Sequence, residues 1–296
     1  MHDLRFFITD VFGGEKYSGN QLATFLNGDQ LSEDEMQKIA REINFSETTF
    51  ILSDSTIDGG YAVRIFTPAK EIDFAGHPTL GTAFIINRHV LKQHAGKVIL
   101  NLNAGKIPVT FSSADDLGTV WMDQIEPTFG RVLNAGIIAE MLSLPANALD
   151  GRYPIQEVST GLPHMIVPLK NLKALQNASI VKELYFDAIR DISSKCILVF
   201  CPEGRDNSHT LSVRMFADFL GIPEDPATGS GNGCLAGYLV KHKYLGSSTI
   251  DICVGQGHEV GRPSLIMLKA EEMKDGRIHI SVGGRVIPIA EGFWYV

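Results

Sequence analysis

The 296-residue chain is 44% hydrophobic and 20% charged, with a formal net charge of −8. That apolar content suffices for two ordinary domains, or one large one, each burying a real core, and disorder is not the default. The negative balance, with 26 Lys and Arg scattered and not gathered into a basic arm or stripe, repels nucleic-acid phosphates and anionic membrane surfaces and excludes both as expected partners.

In chain order, the N-terminal segment lacks the basic and apolar regions of a signal peptide and reads as a first strand near 4–12. Strand patterns follow near 48–53, 61–67, 97–102 and 106–111, with amphipathic helices near 32–43 and 78–91. Ser32, three residues before Glu35, has the form of a capping box, and Met36, Ile39, Ala40 and Ile43 supply the apolar stripe behind it. That helix delivers the chain to Asn44-Phe45-Ser46-Glu47. The second half shows strands near 154–159, 164–169, 196–201, 211–216, 249–254 and 264–270, and helices near 134–142, 179–190 and 232–243. No apolar run approaches the roughly 20 residues that cross a bilayer. All four cysteines, Cys196, Cys201, Cys234 and Cys253, lie in the second half without CxxC or zinc-ligand spacing. Reduced, mostly buried thiols of a cytoplasmic protein are expected.

The two halves run through the same events in the same order. Asp10-Val11-Phe12, then Gly19-Asn20 and an apolar run, corresponds to Glu157-Val158-Ser159-Thr160-Gly161, then Met165-Ile166-Val167. Ala75-Gly76-His77-Pro78-Thr79-Leu80-Gly81 opens one helix as Ala227-Thr228-Gly229-Ser230-Gly231-Asn232-Gly233 opens another. Asn103-Ala104-Gly105 and Val254-Gly255-Gln256-Gly257 each fall between two strands. Two copies of one α/β unit are the simplest account.

A glycine-rich turn entering a helix points unpaired backbone N–H groups outward beside the positive end of the helix dipole, a natural anion site. Ordinary capping by Thr79 or Asn232 is the plainer reading of either turn. Neither turn is a Walker motif or a dinucleotide fingerprint. Titratable groups gather here: Asp73 and His77 at the first turn, Glu224 and Asp225 at the second, with Ser46-Glu47 between a helix and a strand. Each alone is explained by dipole compensation or a structural histidine. Glu47 enters a strand among Phe45, Phe50 and Ile51, where burial, which the sequence does not show, would raise its pKa toward the range of proton transfer.

Taken together in order, Gly19-Asn20, Ser46-Glu47-Thr48-Thr49-Phe50, Arg64-Ile65-Phe66-Thr67-Pro68, Glu71-Ile72-Asp73-Phe74-Ala75-Gly76-His77-Pro78 and Glu224-Asp225-Pro226-Ala227-Thr228-Gly229-Ser230 resemble the PhzF family of phenazine-biosynthesis proteins, from about residue 5 onward. The resemblance implies an α+β, diaminopimelate-epimerase-like fold of two pseudo-symmetric halves, each a mixed sheet wrapped around a central helix. It also implies a homodimer and a cofactor-independent isomerase, with no metal. By the resemblance Glu47 is the acid/base residue, His77 and Asp225 position the substrate and assist proton transfer, and Ser230 contacts it. Asn20, Ser46, Gly76, Gly229 and Gly231 complete the expected substrate-binding set. The first lobe is expected at 1–114, completed by a strand near 287–296, and the second at 115–286, with the substrate in a cleft between them.

The related epimerases and proline racemases use two cysteines at the helix entrances, where this chain has Ala75 and Thr228. A single carboxylate suits a proton shift on one face better than an inversion, which needs groups on both faces. The family's characterised reaction isomerises dihydro-hydroxyanthranilate, so a small anionic cyclic carboxylate is the expected substrate, with Phe45, Phe74 and Phe216 as candidates for an apolar lining. A racemase acting by a non-cysteine route and a catalytically silent binding protein are the competing readings.

Overall fold

The computed structural model describes residues 3–93, 95–113 and 118–296. Backbone contacts divide the chain into two units, Met1–Met122 with Gly283–Val296, and Asp123–Val282. The lobe border expected at 114/115 lies outside the described residues, and the return to the first unit falls at 282/283, not 286/287.

The first unit runs β1 (Asp3–Val11), β2 (Asn20–Phe25), α1 (Glu33–Ile43), β3 (Glu47–Ile51), β4 (Tyr61–Phe66), β5 (Glu71–Ile72), α2 (Gly76–Ile85), β6 (Lys97–Leu102) and β7 (Gly105–Phe111). β8 (Val120–Asp123) leads into the second unit, which runs β9 (Thr128–Val132), α3 (Ala135–Met141), β10 (Gln156–Ser159), β11 (Pro163–Pro168), α4 (Leu172–Asn177), α5 (Lys182–Ala188), β12 (Cys196–Cys201), β13 (Leu211–Ala217), β14 (Ile222–Asp225), α6 (Gly229–Lys241), β15 (Thr249–Gln256) and β16 (Ser264–Glu272). β17 (Ile278–Gly284) carries the chain back, and β18 (Val286–Tyr295) closes the first unit.

Within the first unit β1 pairs antiparallel with β2, β2 parallel with β3, and β3 antiparallel with β4. β4 then pairs antiparallel with β5 and parallel with β6, and β6 antiparallel with β7, while β18 lies antiparallel on the other side of β1. The second unit repeats every step. β9 lies antiparallel beside β10, β10 pairs antiparallel with β11, β11 parallel with β12, and β12 antiparallel with β13. β13 then pairs antiparallel with β14 and parallel with β15, and β15 antiparallel with β16.

Each mixed sheet wraps one helix. All ten residues of α2 are buried, against β1, β2, β3, β6, β7 and β18. α6 is buried from Gly229 through Val240, against β10, β11, β12, β15 and β16. Neither helix is amphipathic because both are surrounded. The opposite faces of the sheets take the amphipathic helices. In the first unit Met36, Ile39 and Ala40 of α1 pack on Phe25, Phe50 and Phe66. In the second, Ile138, Met141, Leu175 and Tyr185 pack on Ile197, Val199 and Phe216. α1 starts at the expected capping box: the Ser32 hydroxyl accepts from the Glu35 amide, and the Glu35 carboxylate accepts from the Ser32 amide at 2.8 Å.

The helix expected over 78–91 stops its α-turns at Ile85 and widens into a π turn over Ile86–Val90. The helix expected from 232 begins three residues earlier, at Gly229. Among the described residues no helix is long and apolar enough to cross a membrane.

Candidate active site

Alternation along β3 decides where Glu47 points. Phe50 lies in the core beside α1, whereas the Thr49 hydroxyl meets the Thr82 hydroxyl of α2 at 2.8 Å. Glu47 shares the Thr49 face and is therefore turned to α2. Asn44, left-handed at φ 56°, ends α1 and lets the chain turn through half-buried Ser46 into the strand. Leu22 of β2 stands beside Glu47 in the parallel pair. Asn20, the first residue of β2, is buried, and the turn before it requires glycine. Gly19 has φ +75°, and a Cβ there would lie 2.4 Å from the Val11 carbonyl oxygen.

His77 is the second residue of α2, next to Gly76, and its Nε2 lies 3.4 Å from Glu47 Oε2. Burial drives the imidazole pKa down to about 3, against the opposing pull of a hydrogen bond with the Gln21 backbone. The ring is neutral at pH 7, so this contact is not an ion pair. Ala75 has no side chain to cap the helix, and Thr79 donates its hydroxyl to the Ala75 carbonyl at 2.7 Å instead of capping. Gly76 and His77 thus head the positive end of a helix dipole beside a carboxylate and a neutral imidazole.

In the second unit Asp225 ends β14 and is buried, and Gly229, Ser230 and Gly231 form the first turn of α6, also buried. Gly231 has no room for a side chain, since a Cβ would press on Leu198 at 3.1 Å and on the His164 ring at 3.2 Å. The Thr228 hydroxyl is turned to Asp225 Oδ2 at 2.5 Å, not to the amides of α6, and Asn232 donates to Gln256 Oε1 and the Thr228 carbonyl. The capping by Thr79 or Asn232 weighed from the sequence is therefore not what these residues do.

Other expectations are corrected. Glu224 is held by Arg214 through two hydrogen bonds of 2.9 and 2.7 Å, and Asp73 is exposed. Phe216 belongs to the core beneath α3–α5 and Phe45 packs against the core beneath α1, so neither is an apolar lining. Ala75 and Thr228 are the residues immediately before α2 and α6, which shifts the helix match by one residue from Ala227. Val254, Gly255 and Gln256 lie inside β15, not in the turn after it. Burial pushes the Cys196 thiol up to about 12 and the Cys234 thiol up to about 11, the opposite of an activated thiolate.

The sequence reading missed a matched pair of ion pairs. Arg64 of β4 forks onto Glu71 of β5 at 2.7 and 2.5 Å, as Arg214 of β13 forks onto Glu224 of β14. Each guanidinium also lies over the phenylalanine two residues on, 5.1 Å from the Phe66 ring and 4.8 Å from the Phe216 ring. The repeated Arg-x-Phe was the available signal. It also missed Gln256, wholly buried beneath Asp225 and Thr228.

The family model described as phenazine biosynthesis-like protein matches residues 9–292. A trans-2,3-dihydro-3-hydroxyanthranilate isomerase of Pseudomonas aeruginosa is 33% identical over 295 residues, covering 99% of each chain. One from Pseudomonas fluorescens is 34% identical with the same coverage. The solved structure of a Bacillus anthracis phenazine biosynthesis protein of the PhzF family superposes with a TM-score of 0.91 at 26% identity over the whole of both chains. A hydroxyproline epimerase from Agrobacterium vitis shares the fold, with a TM-score of 0.66 at 10% identity over 99% of this chain and 91% of that one. With its α+β fold and two helix-centred sheets, the chain belongs to the family of phenazine biosynthesis-like proteins and is a PhzF-like isomerase.

Proposed function

We propose that the protein shifts a proton within a small cyclic carboxylate related to trans-2,3-dihydro-3-hydroxyanthranilate, with Glu47 as the acid/base residue. The observation that carries this reading is the approach of Glu47 Oε2 to a neutral His77 Nε2 at the entrance of α2. In this reading the Glu47 carboxylate takes a proton from a ring carbon, holds it, and returns it to another carbon on the same face, and the product tautomerises to a ketone. A neutral imidazole beside Glu47 does not favour the charged carboxylate as a cation would. The substrate carboxylate is received by the amide heading α2 at Gly76, and Gly229, Ser230 and Gly231 head α6 of the second unit as the same kind of anion site. Asn20 and Ser46 take its remaining polar groups, and Asp225 is assigned to the substrate-binding set of the second unit. Two-cysteine racemisation is unsupported, because Ala75 and Thr228 precede the helices and Cys196 and Cys234 are buried thiols with raised pKa values. A homodimer in the cytoplasm is part of the same proposal, and sedimentation as a monomer at micromolar concentration would count against it.

The test is incubation with trans-2,3-dihydro-3-hydroxyanthranilate in D₂O, followed by proton NMR. Loss of hydrogen at one ring carbon with gain at another supports the proposal. Exchange confined to an α-carbon with inversion, or no change in that compound and in a panel of cyclic carboxylates, overturns it.

A further inference from the structure

We propose that Gln256 is a positioning residue that fixes the direction of the hydrogen bond received by Asp225, forcing the Thr228 hydroxyl to donate its proton to the carboxylate. The inference rests on the assignment of Asp225 to the substrate site. Its basis is a set of buried hydrogen bonds whose polarity is fixed at Gln256.

The Gln256 side chain is wholly buried at the end of β15, and its amide is oriented by two backbone groups that cannot reverse role. Nε2 donates to the Asp225 carbonyl at 2.8 Å, an acceptor only, and Oε1 accepts from the Thr228 N–H at 3.3 Å, a donor only. Asn232 adds a second donor to Oε1 at 2.8 Å. With the amide thus fixed, Nε2 also donates to the Thr228 hydroxyl oxygen at 3.0 Å. A hydroxyl has one proton, and with its oxygen already accepting, that proton goes to the remaining neighbour, Asp225 Oδ2 at 2.5 Å. Asp225 Oδ2 is therefore an acceptor, and a hydrogen bond donated to a carboxylate favours its charged form. Among the described residues the first unit has no counterpart of this wiring: the register that matches Arg64 with Arg214 puts Leu102 at the place of Gln256, and Ala75 precedes α2 where Thr228 precedes α6.

Gln256→Glu keeps the shape and replaces the donor facing Thr228 and the Asp225 carbonyl with an acceptor, which draws the hydroxyl proton away from Asp225. Thr228→Val removes the hydroxyl at nearly constant volume. The readout is the ¹³Cγ resonance of Asp225, followed against pH in the full chain, beside the pH profile and kcat and KM for trans-2,3-dihydro-3-hydroxyanthranilate. Both variants are expected to move the Asp225 titration upward by about one pH unit or more. The acid limb of the rate profile follows it, with a fall in kcat of about tenfold and a smaller change in KM. Thr228→Ser, which restores the hydroxyl, returns the titration to that of the unsubstituted protein. An unmoved Asp225 titration in folded Gln256→Glu overturns the proposal, and if that variant does not fold, an unmoved titration in Thr228→Val does so. Failure of the unsubstituted protein to turn over the compound strikes the assigned function, while the carboxyl titration still decides the wiring.

Discussion

Glu47 and Cys196 hold the same place in their respective sheets. Each opens a strand with a parallel partner, β3 beside β2 and β12 beside β11, and each precedes the residue paired with the matched phenylalanine, Thr48 with Phe66 and Ile197 with Phe216. Both face the central helix of their unit. Duplication therefore supplied two equivalent positions at the foot of a buried helix, and only one of them carries a carboxylate.

That asymmetry makes Glu47→Gln the decisive substitution. It keeps size and removes the proposed proton carrier, so turnover should fall by about 10²–10⁴-fold while substrate affinity changes by less than about tenfold. Cys196→Ala should leave turnover within about twofold and cost about 1 kcal/mol of stability, the scale for emptying a small buried volume. Steady-state kinetics on the folded variants, with urea midpoints, decides both. Wild-type turnover in Glu47→Gln would end its assignment as proton carrier.

The two matched arginines should differ in weight. Arg214 is 9% exposed, Glu224 11%, and the same guanidinium donates to the carbonyls of Leu175, Gln176 and Ala178, at 3.0, 3.3 and 2.6 Å. Arg214→Met strands a carboxylate and takes a donor from three carbonyls, and should cost about 3–5 kcal/mol. Arg64 and Glu71 are 23% and 20% exposed, so Arg64→Met leaves groups that water reaches and should cost about 1–3 kcal/mol. Equal losses in chemical denaturation would contradict this ranking.

Stability should decline on mild acidification. His77, with a pKa of about 3, and His164, with a pKa of about 4, are both lowered by burial from 6.5. The unfolded chain takes up these protons first as pH falls, so their contribution is complete above about 6.5 and drains away down to each folded value. Each such histidine costs about 1.4 kcal/mol per pH unit across its window. His242 and His258, also lowered by burial, act in the same direction. Urea midpoints at pH 7 and pH 5 should differ accordingly, and His164→Gln should flatten the dependence. A midpoint that does not move between those pH values would refute this.

Gly19→Ala should damage both stability and substrate binding. The backbone is left-handed there and the new methyl group meets the Val11 carbonyl oxygen, so a loss of at least about 1 kcal/mol is expected. Because Asn20 follows directly, KM should rise more than kcat falls. A variant as stable as the parent by thermal melting would show that the turn relaxes freely.

The sequence is most legible where the chemistry is local. The Ser32–Glu35 box and the stripe behind it placed α1 to within a residue, because both depend only on neighbours along the chain. α6 starts earlier than its sequence suggests because Gly229-Ser230-Gly231-Asn232-Gly233 has poor intrinsic helix propensity, and burial inside a wrapped sheet overrides it. The Arg–Glu forks stayed hidden because their partners are seven residues apart in one unit and ten in the other, so no fixed spacing repeats. β5 and β14, two and four residues long, are too short for alternation to show. Glu47 was legible only through its place among ordered motifs, since the neutrality of His77 beside it comes from burial by residues remote in sequence.

β18 joins β1 along its length, from Asp3 beside Tyr295 to Val11 beside Val286. The first unit is thus assembled from two stretches of chain separated by the whole of the second. During synthesis the second unit is complete and free to fold while the first still lacks a strand beside β1, and that strand arrives only when residues 286–295 have left the ribosome. Until then a row of β1 backbone groups stands open to any passing strand, so the order of manufacture, and not the finished architecture, sets when this protein is most exposed to mispairing.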